Sequence, residues 1–554
     1  MEGFISAAGD FGKYQKIVTA VTIAIGSIPF CLTIPYSALT KLPAFLCKNE
    51  NGEYTSCEFN KETFCTGKVD FIKDKKNSVD NFAYDLDLYC DREFFISIYS
   101  SLFFLGAMLS TVLMAPIPDK YGRKLVFQIL QVCLCIILFN NLFVFSPWQL
   151  AFLYFSSGFC SYAYGMSSVI IAEYLPRNIA NIIMTICNGS FSAVGVIVGI
   201  YFNIFNNKFF YLFIIFFAQA VFSYLTVRYF KESVIWLFSL KLKKRFVTTL
   251  TEIAELNGKL PEFKAYLDSN KENLDSLLDS KKNSKENNNN NEEEEVPTIT
   301  LRQIYGFKSQ RGNMIRCFIT FFITGLTFYG IILNLAYTKH NFFITCYCCF
   351  FGEITGEFSS GVIANLIGRI KVTSFGCFIG GICFISYTFI DSALLSYISI
   401  FCATYGFAAT FNVIAIYAPE LFPTPIRAKL YSYCFLMSRF GAMVVGPITN
   451  LFGVRTTNVL FFASSIFSGL IFTNMEETLG KPLKNEIPEL EGVDNLIAKT
   501  GKALRGDFYA SQNVFTKSFI GFDPVTIELM RRNMSTRDLK PYNQFQFSGI
   551  FSQK

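Results

Sequence analysis

Asp119-Lys120-Tyr121-Gly122-Arg123-Lys124 is answered 246 residues further on by Asn365-Leu366-Ile367-Gly368-Arg369-Ile370. Outward from there, Glu173-Tyr174-Leu175-Pro176 is answered by Glu420-Leu421-Phe422-Pro423. The step from first motif to second is 54 residues in one copy and 55 in the other. Two different motifs repeating at one offset, in one order, imply a duplicated unit. The residue types suggest what the unit does. Gly122 and Gly368 permit a sharp turn. Asp119 can sit at the partly positive N-terminal end of a neighbouring helix. Arg123 can pair with Glu173, and Arg369 with Glu420. Such a latch holds helix ends together in one state and must break in another. The plainer alternative is an ordinary basic loop, and the second copy argues against it.

The rest of the chain is apolar. Hydrophobic residues make up 52 % of it, 64 residues are Phe, and only 16 % are charged. A soluble protein carries about a quarter charged residues. An integral membrane protein is therefore expected. The net charge of +7 is too small and too interrupted for a nucleic-acid-binding face. Twelve stretches are long enough to cross a ~30 Å hydrocarbon core. As helices 1 to 12 they span 17–40, 94–117, 125–145, 149–171, 178–204, 208–230, 313–336, 341–364, 372–391, 393–416, 429–451 and 457–475. The expected class is an all-α membrane protein of two pseudo-symmetric six-helix bundles, 1–230 and 313–475. Tandem halves of this kind are how many secondary transporters are built, with substrate held between them near the midplane. Short loops on one side hold Lys120, Arg123, Lys124, Arg177, Arg369, Lys371, Arg427 and Lys429. Those on the other hold only Lys208, Lys339 and Arg455. The asymmetry places both termini in the cytoplasm.

Three segments lie outside the spans. The outer loop 41–93 carries Cys47, Cys57, Cys65 and Cys90. Four cysteines in an exposed loop suggest two disulfides, with three pairings open. The loop has no Asn-x-Ser/Thr acceptor, so no N-glycan is expected there. The linker 231–312 begins with an amphipathic helix over 232–256, carrying Trp236, Leu237, Leu240 and Phe246. It then turns into an Asn- and Glu-rich stretch too polar to order itself. A cytoplasmic tail, 476–554, has no apolar span.

Ionisable groups at membrane depth are costly and mark function by default. Arg439 lies twelve residues beyond Arg427, about 18 Å in from the inner end of helix 11. Glu353 and Glu357 lie one turn apart on helix 8, about 22 and 16 Å from its inner end. The three share a depth. The planar Arg fork suits a carboxylate. One reading is that Arg439 and one Glu neutralise each other and tie helices 8 and 11, since a 4 Å pair is worth about 4 kcal/mol at an effective dielectric of 20. The sharper reading counts two acids and one base, which leaves a spare negative site for a molecule with both a cation and a carboxylate. Aromatic faces attract quaternary ammonium groups. Tyr36, Tyr162, Tyr164, Phe328, Tyr329 and Tyr405 are candidates on helices 1, 4, 7 and 10. Cys346-x-Cys348-Cys349 lacks zinc spacing and a second pair, so no metal is expected. His340, the sole histidine, falls in a short outer loop and reads as solvated. No cofactor and no enzyme activity are expected.

These motifs resemble the major facilitator superfamily, whose loop signature is G-x-x-x-D-x-x-G-R-K. Ala115 stands at the leading Gly position of the first copy. The second copy reads Gly361…Asn365…Gly368-Arg369, with Asn365 in place of the acid. Those departures imply an uneven latch, stronger in the first half. Glu232-Ser233-Val234-Ile235-Trp236-Leu237, Tyr329-Gly330-Ile331-Ile332-Leu333-Asn334, Ala418 to Arg427 and Glu477-Thr478-Leu479-Gly480-Lys481-Pro482-Leu483 are similar to elements of its organic-ion (solute carrier 22-like) family. That family holds organic cation, organic anion and carnitine transporters, and a long cysteine-bearing first outer loop is its habit. Sugar porters share several elements but usually have a short first loop and a helix 7 Gln-Gln pair, absent here. The resemblance implies substrate contacts at Arg439 and Glu353. Arg439 falls where carriers of anions or zwitterions have Arg, and Glu353 where cation and carnitine carriers have Glu. Glu357 departs, since anion carriers place Lys there.

The expectation is an alternating-access carrier of small organic ions, betaine- or carnitine-like zwitterions first, organic cations or anions second. It would act as a monomer in the plasma membrane, with an internal organelle as the alternative, and H⁺ or Na⁺ as a possible coupling ion. The contrasting expectations are a sugar-porter-like carrier and a transport-inactive membrane sensor or scaffold.

Overall fold

The computed structural model describes residues 2–481 except 50–52, 58–60, 68, 176, 272–273, 275–304, 306–307 and 339. The Asn/Glu-rich stretch beyond residue 274 and the tail beyond residue 481 lie outside the described residues. The membrane passes form because uninterrupted apolar sequence buries its backbone polar groups only as helix. Helix 1 runs Lys13–Leu39, helix 2 Cys90–Met114, helix 3 Arg123–Asn141, helix 6 Lys208–Tyr229, helix 9 Arg369–Phe389 and helix 10 Ala393–Leu421. Helix 4 is made of Pro147–Cys160 and Tyr162–Tyr174, and helix 5 is Arg177–Ile204. Helix 7 is Lys308–Asn334 with a 3₁₀ turn Leu335–Tyr337, and helix 8 is Phe342–Ile367. Helices 11 and 12 lie within Thr424–Thr473 and part at Gly453, whose φ of 75° and ψ of 160° break the run.

Within a bilayer there is little hydrophobic drive between helices, so close approach and small residues hold them. Helices 2 and 4 meet through Gly106 and Gly158. A Cβ at Gly106 would stand 2.2 Å from the Phe155 carbonyl oxygen, and one at Gly158 1.9 Å from that of Phe103. No other residue type fits there.

The 41–93 loop folds into a small antiparallel sheet. Its strands are β1 (Phe45–Lys48), β2 (Tyr54–Cys57) and β3 (Phe71–Lys73), in the order β2-β1-β3. Disulfides join Cys47 to Cys57 and Cys65 to Cys90. The loop is tied to the turn between helices 5 and 6. Asn206 Nδ2 donates to the Ser78 carbonyl at 3.0 Å, and the Lys208 amide donates to Asp80 at 2.9 Å.

The two halves touch at this disulfide end. Lys41 Nζ lies 4.5 Å from the Phe342 ring centroid. Ser101 Oγ donates to the Met443 carbonyl at 2.7 Å. The last turn of helix 1, Tyr36–Leu39, packs on the 3₁₀ turn of helix 7.

At the opposite, latch end the single amphipathic helix expected over 232–256 is two helices, Val234–Ser239 and Lys243–Leu256. The Ser233 hydroxyl caps the first by accepting from the Trp236 amide at 3.2 Å. Lys241, at φ 57°, ends it. A third helix, Leu260–Ser269, follows. Phe246, Leu250 and Phe263 are buried there, and Phe4 of the N-terminal helix packs edge-on against Phe246 and Tyr266.

Candidate functional site

The repeated Gly-Arg turn is the same object twice. Gly122 has φ 103° and ψ 146°; Gly368 has φ 107° and ψ 153°. L residues rarely adopt that region, so glycine is required. Each turn starts a helix, and the first N–H groups of a helix have no partner inside it. Glu232 fills that need for helix 3, accepting from the Arg123 and Lys124 amides at 3.0 and 3.1 Å. Glu477 does the same for helix 9, accepting from the Arg369 and Ile370 amides at 3.0 and 3.1 Å. A Cβ on either glycine would stand 2.5 Å from the capping carboxylate.

The arginine side chains turn the other way. The Arg123 guanidinium pairs with Glu173, and its Nη2 lies 3.5 Å from Asp119. Arg369 grips Glu420 with two bonds of 3.2 and 3.1 Å, and Thr478 Oγ1 donates to the same carboxylate at 2.6 Å. Asn365 is exposed, and Arg369 Nη1 donates to the Ala364 carbonyl at 3.1 Å instead. Arg427 Nε donates to the Phe422 carbonyl at 3.1 Å. The paired caps Glu232 and Glu477 were missed as a pair in the sequence, although they stand 109 and 108 residues beyond Arg123 and Arg369. That spacing is the signal that could have found them.

Glu477 lies outside the membrane passes. Burial pushes its carboxyl upward, but the amides of Leu479, Arg369, Ile370 and Thr478 outweigh burial and hold it below the usual carboxylate range. A depressed carboxyl stabilises the fold above its unfolded value, and that contribution is lost as pH falls through the folded value. Glu477→Gln is therefore expected to lower the Tm at pH 7. The gap between variant and wild type should close in acid, below the normal carboxylate range; a gap independent of pH contradicts the capping role.

The central residues sit at the middle of their helices. Arg439 is part-buried on helix 11, and its Nη1 donates to the Tyr329 hydroxyl at 3.0 Å. The Tyr329 ring lies 5.9 Å from the guanidinium carbon. Arg439, Glu353 and Glu357 all lie within electrostatic range of the Tyr329 hydroxyl. No ion pair joins Arg439 to either acid among the described residues, so the mutual-neutralisation geometry is not the one adopted. Glu353 is 1 % exposed, and its Oε1 has no hydrogen-bond partner among the described residues. A buried carboxylate oxygen left so must be satisfied by a proton, water or a guest. Glu357 accepts from Ser192 Oγ at 3.3 Å, a bond that crosses from helix 5 in one half to helix 8 in the other. Asn412 Nδ2 donates to the Glu357 carbonyl at 3.0 Å. Phe411 and Phe104 pack on Tyr329, with ring centroids 6.5 and 4.7 Å away.

The aromatic candidates divide. Tyr329 and Tyr164 share electrostatic range with Arg439 and Glu357. Tyr162 looks instead toward Asp119 and Arg123 at the latch. Two residues apart on a helix point to nearly opposite sides, so both could not serve one site. Tyr36 is buried at the disulfide end, edge-on to Tyr154 at 6.1 Å, and shows no contact with Arg439 among the described residues. The Tyr405 hydroxyl is engaged by Ser359 Oγ at 3.0 Å. Ser192 and Asn412 carried no sequence signal, being single polar residues in apolar helices.

Comparison with known proteins agrees with this architecture. The family model described as Major Facilitator Superfamily matches residues 90–447. Solute carrier family 22 member 6-A of Xenopus laevis is 25 % identical over 452 residues, covering 77 % of this chain and 75 % of its own. The organic cation transporter-like protein of Drosophila melanogaster is 22 % identical over 556 residues, covering 90 % and 93 %. Organic cation transporter 1 of Caenorhabditis elegans is 22 % identical over 536 residues, covering 88 % of each. Among solved structures, the xylose transporter XylE from E. coli, in an inward-open conformation, aligns with a TM-score of 0.55 at 13 % identity, covering 86 % of this chain and 98 % of its own, which is a likeness of fold. With its paired helix-start latches and apolar passes, this chain is a multi-pass membrane transporter that belongs to the Major Facilitator Superfamily and is solute carrier 22-like within it.

Proposed function

We propose that the protein carries small organic ions by alternating access, and that its preferred substrates are zwitterions pairing a quaternary ammonium with a carboxylate, as in betaines and carnitine. The observation that carries this reading is the unpaired charge at the centre. Arg439 is held by a neutral tyrosine, while two carboxylates stand on helix 8, one of their oxygens without a partner among the described residues. A guest carboxylate would take the guanidinium fork, its ammonium the acids and the Tyr329 and Tyr164 faces. Relatives named as organic cation transporters support the substrate class. The Lys and Arg bias puts the latch end in the cytoplasm, and two disulfides suit the extracellular side of a plasma membrane. In that orientation, contact between the halves at the disulfide end corresponds to the inward-facing stage of the cycle. Rocking the halves would then part Lys41 from Phe342 and Ser101 from Met443.

Uptake into proteoliposomes tests the reading with three labelled probes: carnitine, a planar organic cation and a dicarboxylate. Saturable carnitine uptake exceeding both others supports it. Uptake of the dicarboxylate alone, or of none of them, contradicts it.

A further inference from the structure

A mostly apolar chamber with a few polar groups lies among the described residues of the second half, at the disulfide end. Its volume is about 280 Å³, and it is bounded by the ends of helices 7, 9, 10 and 12. Its polar groups come from Asn334, Tyr337, His340, Tyr387, Thr388, Arg455 and Asn458, with no Asp or Glu among the described lining residues. The floor is a chain of neutral groups: Asn334 Nδ2 donates to Asn458 Oδ1 at 3.4 Å, and Asn458 Nδ2 donates to Thr388 Oγ1 at 3.1 Å. His340, expected to be solvated, is part-buried instead, and its Nε2 is buried with no hydrogen-bond partner among the described residues. Its ring sits edge-on to Tyr397 at 6.0 Å, which fixes it against helix 10. Arg455 has no ion pair among the described residues. Arg455 is exposed, and a buried ring nitrogen without a described partner in a wall that also carries this guanidinium and no described acid suits an anion.

We propose that this chamber binds a small monovalent carboxylate, of acetate to lactate size, between Arg455 and His340. The guanidinium fork matches a carboxylate's two oxygens, and the volume falls at the small end of ligand pockets, larger than a halide requires. Every described lining residue belongs to one half, so the site persists while the halves rock. It is separate from the transport site at mid-helix, and the proposal stands whether or not the zwitterion reading does. Its effect would be to brace the 3₁₀ turn of helix 7, the element on which the end of helix 1 closes.

The test is thermal unfolding of the purified full chain in nanodiscs, comparing sodium acetate and sodium lactate with sodium chloride at equal ionic strength. Each variant is referred to its own chloride baseline, so a change in basal stability does not obscure the shift. A saturable rise of about 2 °C or more is expected with either carboxylate. It should vanish in Arg455→Gln and in His340→Leu and persist in Arg439→Ala. Equal Tm in chloride and acetate overturns the proposal. So does a shift that survives both chamber variants, or one that only Arg439→Ala removes.

Discussion

Arg439→Ala is expected to lower carnitine uptake about 100-fold while leaving uptake of an organic cation intact or raised. Removing one member of a desolvated charge pair typically costs 2–5 kcal/mol, and 2.7 kcal/mol is about two decades in rate. The loss falls on the carboxylate of the guest, because Arg439 is the guanidinium placed against Tyr329 at the centre. Glu353 and Glu357 remain, so a cation keeps its partners and is freed of a like charge. Arg439→Lys should lie between, keeping the charge without the planar fork. Kinetic uptake curves for both probes check this. Equal losses for cation and zwitterion would mean that Arg439 holds the fold rather than the substrate.

The second large effect is at the latches, and it is unequal. Arg123→Ala leaves Glu173, 9 % exposed, buried without its cation. Orphaning one member of a buried pair costs about 3–5 kcal/mol. Glu420 is already 17 % exposed with Arg369 in place, and Arg369→Ala leaves it the Thr478 hydroxyl as a donor. Its loss should be clearly smaller. Thermal unfolding of both variants decides the order. Adding Glu173→Gln to Arg123→Ala should recover much of the first loss, since a neutral amide tolerates burial better than an unpaired carboxylate. A larger loss at Arg369, or no recovery by the double variant, contradicts this account of the latch.

Much of the architecture was legible because the membrane makes sequence speak plainly. Apolar runs have to be helices, and a duplicated Gly-Arg turn with a Glu 54 or 55 residues on has few explanations. The structure places Arg123 on Glu173 and Arg369 on Glu420. The caps at Glu232 and Glu477 were visible only as two separate elements, since their task depends on backbone amides that no side-chain pattern announces. The linker helix was read as continuous because its apolar spacing runs through Lys241. The left-handed turn there falls on a lysine, a residue type that does not announce it. At the centre, depth could be counted from the helix ends, but rotation could not. Spacing puts Tyr162 and Tyr164 on nearly opposite sides of helix 4, but only the structure tells which of the two faces the centre and that Ser192 reaches Glu357 from the other half. His340 looked solvated because a loop position says nothing about the chamber behind it.

The most direct measurement is the ratio of carnitine to organic-cation uptake in Arg439→Asp, set against the wild-type ratio in the same proteoliposomes. Reversing the central charge should repel the guest carboxylate and add a third acid for the guest cation, driving the ratio down by about three decades at unchanged protein incorporation. A ratio that stays near the wild-type value would mean the guest never meets that side chain, and the proposed basis of selectivity would be wrong.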